Sequence, residues 1–121
     1  MELIDLPLAA TSGSNLRYYS DDVDKPTRFY GFFADIELAE ADASQLRLRF
    51  TNNTFTRNAA PTGENLYFAT RCGHNPRAVS QTQNPFLVTL NDGILIPNGI
   101  TAVLVDPMSD HIRYIKVFVE R

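Results

Sequence analysis

Gln45–Leu46–Arg47–Leu48–Arg49–Phe50–Thr51 alternates apolar and polar side chains without a slip. Leu46, Leu48 and Phe50 fall on one face, and Gln45, Arg47, Arg49 and Thr51 on the other. That is the period of an antiparallel strand with one buried face and one that is wet or meets a partner. The same period runs outward from it in both directions. In Arg28 to Leu38, Tyr30, Phe32, Ala34, Ile36 and Leu38 share one face, while Phe29, Gly31 and Phe33 precede Asp35 and Glu37 on the other. Ile112 to Val119 places Ile115, Val117 and Val119 on one side and Ile112, Tyr114 and Phe118 on the other. Strands apolar on both faces at one end are expected to be covered there twice, once by the fold and once by a neighbour.

Shorter strands are predicted at Leu3–Ala9, Leu16–Tyr19, Leu66–Thr70, Phe86–Leu90, Ile94–Ile96 and Ile100–Val105. Asn91–Asp92–Gly93 reads as a tight hairpin, because Asn and Gly accept the positive φ such turns need. Pro97–Asn98–Gly99 and Asp106–Pro107–Met108–Ser109–Asp110 supply two further turns, so the C-terminal third is expected to be a meander. Glu37–Ser44 has helix-friendly composition but is long enough for only two turns or a crossing between sheets. Two polar, amide-rich stretches, Asn52–Glu64 and Arg71–Pro85, are long loops of the kind that carry function. No repeat or linker divides the chain. About eight or nine short strands with regular turns predict an all-β, antiparallel β-sandwich, with a jelly roll as the expected form, in one domain over residues 1–121.

The chain has 121 residues, 44% of them apolar and 21% charged, a globular balance that excludes a disordered tail. No apolar run approaches the length of a membrane span. Met1–Glu2–Leu3–Ile4–Asp5 is acidic where a secretory signal is basic, so no signal peptide and a cytoplasmic setting are expected outside a particle. Net charge is −3, from 11 basic and 14 acidic residues, which argues against a nucleic-acid partner. Nine of the basic residues are Arg and two are Lys, a bias that interfaces share. The single cysteine, Cys72, excludes an intrachain disulfide.

Catalytic and metal chemistry find little to stand on. Cys72 and His74 lie two apart, but zinc sites need three or four ligands and a Cys–His nucleophile needs an orienting partner. His111 stands near Asp106 and Asp110 without a second histidine. Asp21, Asp22 and Asp24 are a candidate calcium cluster lacking EF-hand spacing, and Lys25 and Arg28 are placed to neutralise it. No pair of carboxylates is singled out for glycoside hydrolysis. Asn52–Asn53–Thr54 matches a glycosylation sequon. Tyrosines 18, 19, 30, 67 and 114 could stack on sugars, although no Trp is present. No enzyme activity, cofactor or metal is expected.

Gly93–Ile–Leu–Ile–Pro–Asn–Gly–Ile–Thr–Ala–Val–Leu–Val–Asp–Pro107, followed by Ile112–Arg–Tyr–Ile–Lys–Val–Phe–Val119, resembles the small all-β virion proteins of bacteriophages. The Asn- and Thr-rich loops are similar to that group as well. The resemblance covers the last third of the chain, and no motif matches position by position. It implies a capsid decoration or other minor structural protein in a virion, often trimeric, that bridges copies of itself and major capsid subunits. The expected contact residues are Phe29, Phe33, Arg47, Arg49, Asn52, Asn53, Arg57, Arg71, His74 and Arg77. The alternative, from another class, is a carbohydrate- or receptor-binding β-sandwich module.

Overall fold

The structure is a computed structural model and describes residues 1–13, 15–37, 45–73, 83–105 and 111–121. Nine strands follow one another: β1 Glu2–Asp5, β2 Leu8–Ser12, β3 Leu16–Ser20, β4 Thr27–Glu37, β5 Gln45–Thr51, β6 Phe68–Gly73, β7 Gln83–Ile96, β8 Thr101–Val105 and β9 His111–Glu120. A 3-10 turn, Gly63–Asn65, lies between β5 and β6. The strands form two antiparallel sheets, one ordered β1-β9-β4-β7 and the other β2-β3-β8-β5-β6.

The pairing is nested. β1 pairs with β9, β3 with β8, β4 with β7 and β5 with β6, so the chain is a long doubled-over ribbon wound into two sheets. Contacts of β4 with β9 and β5 with β8 close the winding. This is the jelly-roll order, with β2 added beside β3. The expected sandwich is therefore present, but the C-terminal third is not a meander. β7 and β9 lie in the four-stranded sheet and β8 in the other, so the chain crosses the sandwich at each connection. The stretch Leu3–Ala9 likewise divides into β1 and β2, which belong to different sheets.

Asn91–Asp92–Gly93 does not close a hairpin. β7 runs through it, and both halves of β7 pair with β4. Phe29 pairs with Ile94 and Gly31 with Thr89, so residues 90–93 bulge opposite Tyr30. A wide bulge meets the demand for positive φ that the triplet signals, with Gly93 at φ 70°. Gly31 sits across from it at φ 129°, where an added Cβ would fall 2.0 Å from the Val88 carbonyl oxygen. Only glycine fits that approach.

β4 bulges at the same place: against β9, Phe29 pairs with Val119 and Gly31 with Phe118, so Tyr30 is an extra residue and resets which way β4 faces. Phe29, Phe32 and Ala34 point into the core, while Tyr30 and Phe33 point out. A second slip, where Asp35 pairs with Tyr114 but Ile36 with Ile112, turns Ile112 inward beside Ile115, Val117 and Val119. Phe50 centres the core, with ring centroids 4.7 Å from Phe29, 5.2 Å from Phe32 and 6.0 Å from Phe68. Leu48, Ile96, Ile100, Ala102 and Leu104 fill the space around these rings.

Candidate interaction surfaces

Each sheet has an outer face, and the two differ in chemistry. Outside the five-stranded sheet, Leu16, Tyr18, Val103 and Val105 form a second small cluster. Part of the 52–67 loop covers it. Ala60 packs on the cluster, and the Tyr18 hydroxyl donates to the Ala59 carbonyl at 2.8 Å. Burial raises the Tyr18 pKa above its ordinary value, more than the Ala59 hydrogen bond and the nearby Arg57 lower it. Arg49 Nη1 donates to the Pro61 carbonyl at 3.0 Å and pins the far side of the loop.

The beginning of this loop is built around Asn53. Its Oδ1 accepts from Ser20 Oγ at 2.9 Å and from Thr101 Oγ1, and its Nδ2 donates to the Val23 carbonyl at 3.2 Å. Its backbone N–H donates to the Asn98 carbonyl at 3.2 Å. Gly99, at φ 86°, leaves room for the amide, since an added Cβ would lie 2.4 Å from Asn53 Nδ2. Asn52 makes an Asx turn, its Oδ1 accepting from the Thr54 backbone N–H at 3.1 Å and hydroxyl at 2.7 Å. The Asn-x-Thr spacing is thus met by local turn geometry.

Asp21 and Asp22 are paired by arginines distant in sequence and not by the expected Lys25 and Arg28. Arg121 clasps Asp21 through two bonds of 2.8 and 3.1 Å, and Arg57 pairs with Asp22. Among the described residues, no group of three or more His, Cys, Asp and Glu could hold a metal ion.

Outside the four-stranded sheet, apolar side chains are left uncovered. Leu3, Leu87 and Leu95 are each more than half exposed, as is Met1, and Tyr114 is 39% exposed. Cross-strand register places them on one surface: Leu3 opposite Phe118, Leu87 opposite Phe33, and Leu95 opposite Arg28. Phe33 and Tyr114 stack at 5.8 Å, with the Lys116 ammonium 5.7 Å from the Tyr114 centroid. Tyr30, Phe118 and Met1 bound an open cleft of about 360 Å³, with Thr89 and Asn91 along its rim. Burial, the neighbouring Glu120 carboxylate and, more weakly, Asp92 raise the Tyr30 pKa against the smaller opposing effect of Arg28. Asp5 and Lys116 pair at 3.7 Å on the same face.

The expected contact residues divide accordingly. Phe33 lies on the apolar outer face. Arg47, Arg49 and Arg71 share the outer face of the five-stranded sheet, Arg47 directly opposite Arg71. Phe29 is a correction: it is fully buried against Phe50, because the bulge at Gly31 reverses the alternation that put it on the face of Phe33. Asn52, Asn53 and Arg57 are half-buried and spend their polar groups on the fold. His74 and Arg77 lie outside the described residues, as do the side chains of Cys72 and His111 and most of the Arg71–Pro85 loop. Met1, Leu3, Leu87, Leu95 and Tyr114 were not anticipated as a surface. Leu87 joins this surface through its pairing with Phe33, on the edge strand β7. Comparison with protein-family models, curated proteins and solved structures finds no match for the chain.

Proposed function

We propose that this chain is a non-enzymatic structural subunit of a symmetric assembly, acting through repeated protein–protein contacts. The setting suggested by its C-terminal strands is a bacteriophage virion, with the chain as a capsid decoration or minor capsid protein. Its partners would be copies of itself, a trimer being the expected state, and a major capsid or other virion protein. One observation carries the reading: among the described residues, five of the six exposed large apolar side chains gather on the outer face of the four-stranded sheet. Scattered exposed leucines need no explanation, but aliphatic and aromatic groups gathered on one sheet face, interspersed with charged ones, have the makeup of an interface. Many weak contacts of this kind give avidity in a closed array.

The second reading, a carbohydrate- or receptor-binding module, draws on the cleft between Tyr30 and Phe118. There two rings stand beside the Asn91 amide and the Thr89 hydroxyl. Jelly rolls serve both as capsid and as lectin domains, so the roll itself supports the two alike. Sedimentation of the protein over a hundredfold concentration range, with a glycan array in parallel, separates them. Self-association to a trimer or larger ring supports the subunit reading. A strict monomer that binds a glycan replaces it with the module.

A further inference from the structure

We infer that the two edge strands of the four-stranded sheet, β1 and β7, pair with each other between copies of the chain, so that one antiparallel sheet runs from subunit to subunit. The inference rests on the assembly reading above and names its contact. Among the described residues, β1 pairs only with β9 and β7 only with β4, which leaves both outer edges open. An open edge is a row of unpaired N–H and C=O groups that proteins ordinarily guard with charge, proline or a bulge. β7 carries such guards only at the sides, Pro85 before and the bulge at residues 90–93 after. The run between them, Phe86 to Thr89, is uncharged and matches β1 in length, at 4 residues.

The open groups of the two edges match. The Val88 carbonyl faces β4, where it crowds Gly31, so by alternation Leu87 and Thr89 turn their backbone groups to the open side. The Leu6 N–H donates to the Ile115 carbonyl of β9, so the same alternation turns the groups of Leu3 and Asp5 outward on β1. Leu3 and Leu87 also carry exposed side chains on the outer face. Set antiparallel, Leu3 of one copy falls opposite Leu87 or Thr89 of the next, with the side chains on one face. Glu2 and Asp5 then meet an uncharged strand. Four of the five exposed apolar side chains of this face already stand at its edges, Met1 and Leu3 at one and Leu87 and Leu95 at the other. Strand direction selects this sheet over its partner. With four antiparallel strands, β1 and β7 run in opposite senses, so a head-to-tail neighbour continues the alternation. With five, β2 and β6 run the same way, and a neighbour added like this would pair in parallel. A head-to-tail contact generates a ring when the rotation between neighbours closes, which is the symmetry of a trimer.

The test is oxidative cross-linking of the whole chain carrying Leu3→Cys and Leu87→Cys, beside each single variant and the wild type, which control for Cys72. Within one chain the two positions lie three strand spacings apart, about 14 Å, beyond the reach of a disulfide. The expected result is a ladder of linked chains in the double variant and dimers alone in a mixture of the two single variants. Neither single variant by itself should give more product than the wild type. Leu3→Cys with Thr89→Cys covers the neighbouring register. Linking of Leu87→Cys alone would overturn the inference in favour of a two-fold contact between β7 strands. Association by sedimentation with no links in either double variant would overturn it and leave the assembly reading standing. Absence of association would overturn both. Hydrogen exchange of the unaltered chain gives a second measurement. At concentrations where the mass has risen, the amides of Leu3, Asp5, Leu87 and Thr89 should exchange about tenfold more slowly, or slower still, than at the lowest concentration. Unchanged rates at these four amides would contradict the inference.

Discussion

Asn53 joins four segments, three through its side-chain amide (the end of β3 at Ser20, the Val23 turn and the start of β8 at Thr101) and the turn at Asn98 through its backbone N–H. Asn53→Ala would remove the acceptor of the Ser20 and Thr101 hydroxyl protons, leaving Ser20 Oγ only the bond it accepts from the Asp22 N–H. The expected loss is on the order of 2 kcal/mol, measured by urea unfolding. Nothing in Asn52–Asn53–Thr54 announced this junction, because its partners come from places that only the roll brings together. The Asx turn of Asn52 is local, yet the Asn-x-Thr spacing reads in sequence only as a glycosylation sequon. Tyr18 offers a test by pH. Burial favours its neutral phenol, so its folded pKa lies above the ordinary 10.0 at which the unfolded chain titrates. The stability this adds is fully present below about pH 10 and is lost as pH rises through the folded pKa. Tyr18→Phe should cost about 1 kcal/mol at neutral pH through the Ala59 hydrogen bond. That deficit should shrink above pH 10, as the wild type loses stability that the variant cannot. A deficit constant to pH 11 would contradict the assignment.

Among the elements, β4 shows how far strand pattern reaches. Its existence, its length to within a residue and its two apolar faces were legible, because period 2 survives along most of it. Which face held Phe29 was not. One bulge shifts every later side chain to the opposite face, and a bulge at Gly31 looks in sequence like an ordinary glycine in a strand. Gly31→Ala tests the account. With its Cβ 2.0 Å from the Val88 oxygen, β4 and β7 must separate. A loss of about 3 kcal/mol or more is expected in the denaturant midpoint, against the fraction of a kcal/mol typical of a neutral surface site. Of the three turns expected in the C-terminal third, Pro97–Asn98–Gly99 is a reversal, Asn91–Asp92–Gly93 is a bulge within β7, and Asp106–Asp110 lies outside the described residues. Pro97–Asn98–Gly99 specifies a change of direction locally, whereas the sheet that receives β8 is chosen by burial of Ile100, Ala102 and Leu104 against the opposite layer.

For the molecule as a whole, the nested winding separates two outer faces. One is partly sealed by its own loop and studded with arginine; the other leaves Leu3, Leu87, Leu95, Tyr114 and Met1 uncovered. The arginine face was visible in the alternation of Gln45–Thr51. The apolar face was not, since it assembles from β1, β4, β7 and β9, strands that sequence separates by most of the chain. Association through that face is the central claim. Leu3→Glu combined with Leu87→Glu places two charges on exposed positions, so the isolated fold should keep its stability to within about 1 kcal/mol. The most direct measurement is sedimentation equilibrium of the wild type and this double variant side by side over a hundredfold range of concentration. The account predicts a wild type whose mass rises to that of a trimer or larger closed ring, and a variant that stays folded and monomeric throughout. A folded variant that associates as strongly as the wild type would contradict it.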